Sequence, residues 1–363
     1  MADFAFIVHP LDVSDIFRKF HFARKVPGKI VEGSFRLSPP FKLASIRGIR
    51  SAATGKEVSG VFIVCPLTTR QMLYLPERYV LKRIIKSGKL GEKYDAKIVG
   101  LGAMTSVVAD AGITVAENLN IAVTTGNSYT VATAMEGTKK AAEIMGIDIS
   151  EEEVVVVGAT GSIGAVCARL MARECKYLTL IARNREKLDR LSRIIMHETG
   201  LAVSVTSDLE RALKRAKVVI TVTSSAEAII QPEHLSPGAV VCDVARPRDV
   251  ARRVAEKRKD VLVIEGGLVQ IPGAVETDLS IGYPKNVTLA CMAETMILAL
   301  EGRYENFTLG RDITIEQVDE IRRLGEKHGF KLAGFRSFEK SLTEEEIISV
   351  KENAKKAEKH MVV

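Results

Sequence analysis

The chain has 363 residues, of which 46% are hydrophobic and 27% charged, and carries a formal net charge of +7. Its length exceeds one ordinary domain and predicts two domains around a cleft, and its composition excludes a largely disordered chain. The five cysteines form no CxxC pair and no His/Cys cluster, so neither a disulfide framework nor a metal site is expected.

The opening residues do not read as a basic segment followed by a long apolar one. No apolar run approaches the ~18 residues that a membrane span requires. A protein of the reducing cytoplasm, without a membrane span, is expected. Positive charge is densest in "HFARKVPGK" and "YVLKRIIKSGKLGEKYDAK". Such stretches suit an acidic partner, phosphates or a membrane surface, and equally a solvated basic face. No nucleic acid partner is expected, and a homo-oligomer is left open.

In chain order, "KEVSGVFIVCP" and "AKIVGLG" read as strands, "TGK" as a turn, and "PERYVLKRIIKSGKLG" as a helix closed by glycine. Residues 1–148 are therefore assigned to an N-terminal α/β domain that binds substrate or carrier. Its last helix, "NSYTVATAMEGTKKAAEIMG", starts at the N-cap candidate Asn127 and ends on Gly146. From Val154 onward, strand-like and helix-like segments alternate: "EVVVVG", a helix from Ser162, "YLTLIA", "REKLDRLSRIIMHETG", "LAVSV", "DLERALKRA", "KVVITVTS", "GAVVCDVA" and "VLVIEGG". Strands apolar on nearly every residue are those covered by helices on both faces. Residues 149–285 thus predict an NAD(P)-binding Rossmann domain with a doubly wound parallel sheet. Residues 286–363 supply C-terminal helices, expected to pack across the domains: "NVTLACMAETMILALEG", "TIEQVDEIRRLGEKHG" and "TEEEIISVKENAKKAEKH".

The first strand of the second domain runs into Gly158, Gly161 and Gly164, a G-x-x-G-x-x-G loop at the start of a helix. That context presents free backbone N–H groups to an anion. Gly158 permits the tight turn, Gly161 the approach of a pyrophosphate, and Gly164 close packing of the helix on the strand. Thr160, Ser162 and Ile163 belong to the same loop, and Thr223 ends a neighbouring strand. NAD sites carry an acidic residue about 20 residues on, for the ribose hydroxyls. This chain instead offers Ala182, Arg183 and Asn184, followed by Arg185. An arginine there pairs with a 2′-phosphate, so NADPH is the expected cofactor, although first-turn helix surface is the alternative reading of both arginines.

Asn286 is an N-cap candidate that sets Cys291 early in a helix, where the positive end of the dipole favours a thiolate. Glu294 and Thr295 follow on the same face. Taken alone, a cysteine in "LACMAET" reads equally as a small buried hydrophobe.

The motifs "VGLGAMTSV", "TTGNSYT", "GATGSIG", "LIARNREKL", "VIEGGLV", "TLACMAETM" and "FTLGRDITIEQVDEI" together resemble the cyanobacterial long-chain acyl-acyl-carrier-protein (acyl-ACP) reductases, from about residue 97 to 330. That family forms fatty aldehydes from acyl thioesters with NADPH. The resemblance implies that Cys291 is the acylated nucleophile and that an acyl-ACP or acyl-CoA is the substrate. "CDVARPRDV" is similar to a segment of the glutamyl-tRNA reductases, which also reduce a thioester on cysteine. Where the family reads T-G-N-T-H-T, this chain has Tyr129 in place of the histidine, so the histidine's proton-transfer role does not carry over; Tyr129 retains a hydroxyl that can donate.

The expected reaction is attack by Cys291 on the thioester, then hydride reduction of the acyl-enzyme. Backbone N–H groups near Cys291 and the side chains of Asn127, Ser128 or Thr130 are the candidate donors to the developing oxyanion, with Tyr129 a further hydrogen-bond donor at the site; helix capping is the other reading of Asn127 and Ser128. Three alternatives stand beside it: a shikimate- or quinate-type alcohol dehydrogenase, a glutamyl-tRNA reductase-like enzyme using Cys65, and a non-catalytic NADPH-binding regulator.

Overall fold

The computed structural model describes residues 2–361 apart from 226, 279–281 and 339. The chain divides into two compact units, residues 1–129 with 269–331 and residues 130–268 with 332–363.

The first unit opens with strand β1 (Phe4–Val8), helix α1 (Val13–Lys19), a 3-10 turn at His21–Lys25 and helix α2 (Gly28–Phe35). Strands β2 (Phe41–Arg50) and β3 (Glu57–Val64) follow as a hairpin turning at residues 51–56. Helices α3 (Thr69–Tyr74) and α4 (Glu77–Glu92), strand β4 (Ile98–Leu101), helix α5 (Ile113–Glu117) and strand β5 (Ala122–Thr124) lead into α6 (Asn127–Met145). The first sheet runs β2-β3-β1-β4-β5 with a short strand, Glu276–Thr277, beyond β2; β3, β1, β4 and β5 are mutually parallel. Alternate residues face opposite sides, as the pleat requires. Ala5, Ile7, Val61, Ile63, Val99 and Leu101 build a core with Val80 and Ile84 of α4. The other face carries Phe4 and Phe6, whose rings lie over Gly60 and Gly100, where any side chain would collide with them. Helix α4 does not stop at a glycine as expected. Gly91 lies inside it, its Cα so close to the sheet that an added Cβ would come within 2.9 Å of the Ala5 Cβ.

The second unit follows α6 with β6 (Glu153–Val157), α7 (Ser162–Met171), β7 (Tyr177–Ile181), α8 (Arg185–Thr199) and β8 (Ser204–Thr206). Helix α9 (Leu209–Leu213), strands β9 (Val218–Thr221) and β10 (Val240–Asp243), α10 (Arg253–Lys257) and β11 (Leu262–Glu265) complete it. Every pairing in the order β8-β7-β6-β9-β10-β11 is parallel. Numbered from β6, that is 3-2-1-4-5-6, the doubly wound dinucleotide-binding order whose switch point lies between β6 and β9. The Rossmann domain read from the alternating segments is therefore present, and β6, β9, β10 and β11 are buried on nearly every residue, whereas the edge strand β8 is not.

Helices α11 (Ala290–Glu301) and α12 (Ile315–His328) belong to the first unit, and α13 (Glu344–Met361) to the second. Contacts thus divide the chain within α6 and again near residue 268, rather than at 148 and 285. The reason is that α11 covers the Phe4/Phe6 face of the first sheet: the Thr295 hydroxyl sits where a Cβ on Gly100 would be, 2.1 Å away. Ten of the twelve residues of α11 are buried, which its near-uniform apolarity anticipates.

Candidate active site

In the second unit, β6 ends at Gly158, whose φ of +79° is open to glycine at little cost. A Cβ there would lie 2.4 Å from the Val222 carbonyl oxygen just past β9, so the loop sits at the switch point against the neighbouring strand. Gly164 is equally constrained, its added Cβ 2.3 Å from the Gly158 oxygen. Gly161 is not. It is exposed, and its nearest neighbour would be the Gly158 oxygen at 3.3 Å, which leaves the space in front of it open. The Gly161 N–H donates to Gly158 O at 3.0 Å, and Ala165 N–H is the first to bond back into the helix. The N–H groups of Ser162, Ile163 and Gly164 therefore have no intrahelical acceptor, and no side chain caps them. With Thr160 half-buried beside them, this is a cradle that a pyrophosphate fits.

Of the residues after β7, Asn184 is the N-cap of α8, accepting from Lys187 N–H at 2.9 Å. Arg185 pairs with Asp189 at 3.0 Å one turn on and donates to Val205 O. Arg183 is exposed and has no ion-pair partner among the described residues, so it is the guanidinium best able to meet a phosphate. Thr223 was read as a cofactor contact, yet its N–H and hydroxyl both go to Asp249, which also accepts from Thr221 at 2.6 Å. Asp249 thereby fixes the end of β9, a role no spacing rule signals.

In the first unit, Cys291 is the second residue of α11, whose N-cap is Leu289. The expected cap, Asn286, lies too far back because Val287–Leu289 form a short strand before the helix begins. Cys291 nonetheless occupies the first turn of a twelve-residue helix, where the dipole favours an anion. It is partly accessible, whereas Cys65, Cys167, Cys175 and Cys242 are buried. Burial pushes Cys65 and Cys242 up to about 12 and Cys175 to about 11, and raises Cys167 further. Burial disfavours the thiolate form of those four, so Cys291 is the better placed candidate nucleophile.

The loop leaving β5 lies directly on Cys291. Gly126 has φ +74°, and a Cβ on it would sit 2.3 Å from Cys291 Cα and 2.5 Å from its Cβ. Asn127 follows, 3% exposed, and its Nδ2 has no hydrogen-bond partner among the described residues. A buried, unpaired amide is costly and calls for an explanation. Ser128 is fully buried and accepts from the Thr308 hydroxyl at 2.8 Å. The Tyr129 ring packs against Gly325 of α12, its hydroxyl oxygen 2.6 Å from where a Cβ on that glycine would stand.

The loop is held by Glu294, one turn on from Cys291 and fully buried. Its carboxylate accepts from the Thr124 hydroxyl at 2.5 Å and Tyr129 N–H at 2.8 Å. Burial raises its pKa, and hydrogen bonds from Thr124, Tyr129, Thr308 and Gly126 act the other way. Thr125 donates to Thr308 O at 2.5 Å, and Phe307 pairs with Val123, so the segment 307–308 braces the loop from the far side. The role of Glu294 was missed in the sequence, although a lone carboxylate in "ACMAETMILAL" is its signal. Thr308 carries no such signal.

A family profile for shikimate / quinate 5-dehydrogenases matches residues 139–265. The chain is 35% identical over 307 residues to the aminotransferase PigE of a Serratia species; this covers 83% of the chain but spans only 35% of PigE. It is 29% identical over 310 residues to the long-chain acyl-[acyl-carrier-protein] reductase of Synechococcus elongatus, covering 77% of the chain and 84% of that enzyme. A malic enzyme of Entamoeba histolytica superposes with a TM-score of 0.46 at 15% identity, over 98% of this chain and 69% of that one. The chain is thus similar over most of its length to the Synechococcus long-chain acyl-ACP reductase, and over residues 139–265 to the shikimate / quinate 5-dehydrogenase profile.

Proposed function

We propose that this protein reduces a fatty acyl thioester, on acyl carrier protein or coenzyme A, to a fatty aldehyde through an acyl-enzyme on Cys291. The observation that carries the reading is Cys291 itself, the most accessible of the five cysteines, set in the first turn of α11 beneath the Gly126 backbone. An alcohol dehydrogenase needs no such cysteine, and a regulator needs no unpaired buried amide beside it.

The Cys291 thiolate attacks the thioester carbonyl, a new C–S bond forms, and the carrier sulfur leaves and takes up a proton. The oxyanion that develops needs donors already in place. Asn127 Nδ2 is assigned that task, since its lack of a partner is the cost of keeping a donor ready. Ser128 and Tyr129 are assigned supporting parts, Ser128 through Thr308 and Tyr129 through its N–H on Glu294. Glu294 acts as a positioning residue that keeps loop 124–129 on Cys291. The Gly158–Gly164 loop would hold the pyrophosphate of NADPH and Arg183 its 2′-phosphate, and the cofactor, when bound, would supply the hydride for reduction of the acyl group. Cys291 then releases the reduced carbon: the C–S bond breaks, the aldehyde departs and the thiolate returns.

Iodoacetamide labelling of the folded protein near neutral pH tests the assignment. Cys291 should label first and alone, the other four only on unfolding. Labelling of Cys65 ahead of Cys291 would move the nucleophile to the opposite face of the sheet and sink the proposal.

A further inference from the structure

The first unit carries a basic-rimmed apolar surface that the chemistry above does not use. Residues 18–37, the turn after α1 and helix α2, hold six lysines and arginines and one acid, Glu32. That acid is spent internally: its carboxylate accepts from the Thr68 hydroxyl and its backbone oxygen from Gln71 Nε2 at 3.1 Å, which ties α2 to α3. No carboxylate pairs with Arg24, Lys25 or Lys29 among the described residues. Within this basic rim, Ile30 is 58% exposed, Leu37 71% and Tyr74 79%, and no residue of α2 is fully buried. Large apolar side chains left open on elements tied together through Glu32 suit an interaction site. A cleft of about 230 Å³ lies beside Tyr74 and Arg70. It is smaller than the ~300–1,000 Å³ of pockets that enclose small ligands, so the surface suits docking and not engulfment.

Its place in the sheet relates it to the thiol. The segment α1–α2 leaves the C-terminal end of β1, and α3 follows the C-terminal end of β3. The loop on Cys291 leaves the C-terminal end of β5, parallel to both and separated from β1 only by β4. At ~4.8 Å per strand, the two departures are roughly 10 Å apart along one edge, the edge where open α/β sheets bind ligands.

We propose that the face formed by residues 18–37 and α3 docks a small acidic carrier protein, whose flexible thioester arm then runs along this edge to Cys291. This rests on the thioester reading above and names the partner's footprint. Charge complementarity selects a strongly acidic partner. An anionic membrane is the competing occupant, but a helix that lies in a bilayer surface gathers its apolar residues on one face of a single element. Here the apolar residues sit on separate short elements, α2 being eight residues long.

The test compares wild type with Lys25→Glu/Lys29→Glu on two substrates carrying the same chain, dodecanoyl-ACP and the carrier-free dodecanoyl-pantetheine. Both lysines are exposed, so the fold should survive, and circular dichroism checks this. The expected result is a fall in kcat/KM for dodecanoyl-ACP of roughly tenfold or more, deepening at low salt, with dodecanoyl-pantetheine unchanged. An equal fall on both substrates, or no fall on either, overturns the docking assignment. So does an unchanged rate with dodecanoyl-ACP together with lost sedimentation on phosphatidylglycerol vesicles, which would give the face to a membrane. Fluorescence anisotropy of labelled dodecanoyl-ACP, titrated with Cys291→Ala protein with and without the lysine changes, needs no turnover. If wild type reduces neither thioester, the reductase reading has failed, and the anisotropy still decides the docking face by whether the lysine changes weaken binding.

Discussion

Replacing Gly126 with alanine perturbs the contact on which the active-site geometry depends. The new methyl would stand 2.3 Å from Cys291 Cα and 2.5 Å from both its Cβ and its carbonyl oxygen, all on the first turn of a buried helix that has little room to retreat. The backbone would also be held at φ +74°, a left-handed conformation that costs a non-glycine residue ~1–2 kcal/mol. Overpacking of a tight interior adds ~1–3 kcal/mol. Together these put the loss near ~2–5 kcal/mol if the loop holds its place, and less if it lifts away from Cys291. Gly137 is the matched control: it lies within α6, and a Cβ there would meet nothing closer than Ile264 Cδ1 at 3.8 Å. Gly137→Ala should gain up to ~1 kcal/mol from helix propensity. Urea unfolding gives both numbers, and the rate of Cys291 alkylation in the folded Gly126→Ala protein reports whether the loop has lifted. A Gly126→Ala protein with wild-type stability and wild-type thiol reactivity would refute the claim that this loop is pressed onto Cys291.

Three other outcomes follow from the same coordinates. Gly161→Ala should cost little in the urea midpoint, since its methyl meets only the Gly158 carbonyl oxygen at 3.3 Å, yet weaken NADPH binding, read by nicotinamide fluorescence, because the methyl occupies the otherwise open front of the loop. Gly164→Ala should lower both, since its methyl strikes the Gly158 carbonyl. Arg183→Ala should narrow the preference for NADPH over NADH, and Arg185→Ala, which removes an exposed pair with Asp189 and a bond to Val205 O, should shift it much less. Glu294→Ala strands the Tyr129 N–H and Thr124 hydroxyl in the interior at ~1–3 kcal/mol each and should slow acylation of Cys291 by thioester more than its alkylation by iodoacetamide. Glu294→Gln can keep the Tyr129 N–H bond through its amide oxygen, while its amide nitrogen, a donor only, can meet the Thr124 hydroxyl oxygen. Because burial raises the folded pKa of Glu294 above its unfolded value, wild type is relatively less stable above that folded pKa. The Gln variant should therefore gain on wild type as pH rises through it, in paired urea melts.

The Rossmann unit was legible because its signal is local. Four consecutive valines, three glycines at fixed spacing and an ensuing helix specify a strand, a turn and an anion-binding N-terminus within twenty residues. The first unit was harder to read. The boundaries placed at 148 and 285 failed to foresee that α11 returns to the first sheet, since Phe6, Gly60 and Gly100 are separated from Thr295 by about two hundred to three hundred residues and no periodicity links them. Asn286 was mistaken for a cap because a three-residue strand intervenes, which short-range capping rules do not see. The motif around Cys291 could be found in the sequence, but the loop that lies on it, the carboxylate of Glu294 and the brace from Thr308 are products of tertiary folding. Thr223 shows the converse: well placed at a strand end, it is engaged by Asp249.

The most direct measurement of the central claim is intact-protein mass spectrometry after mixing wild type and Cys291→Ala with a long-chain acyl-CoA and with acyl-ACP, without NADPH. The expected result is one acyl adduct on wild type and none on the variant, with the adduct discharged as aldehyde when NADPH is added. Absence of any adduct on wild type with either carrier, or an adduct that persists in Cys291→Ala, would contradict an acyl-enzyme on Cys291.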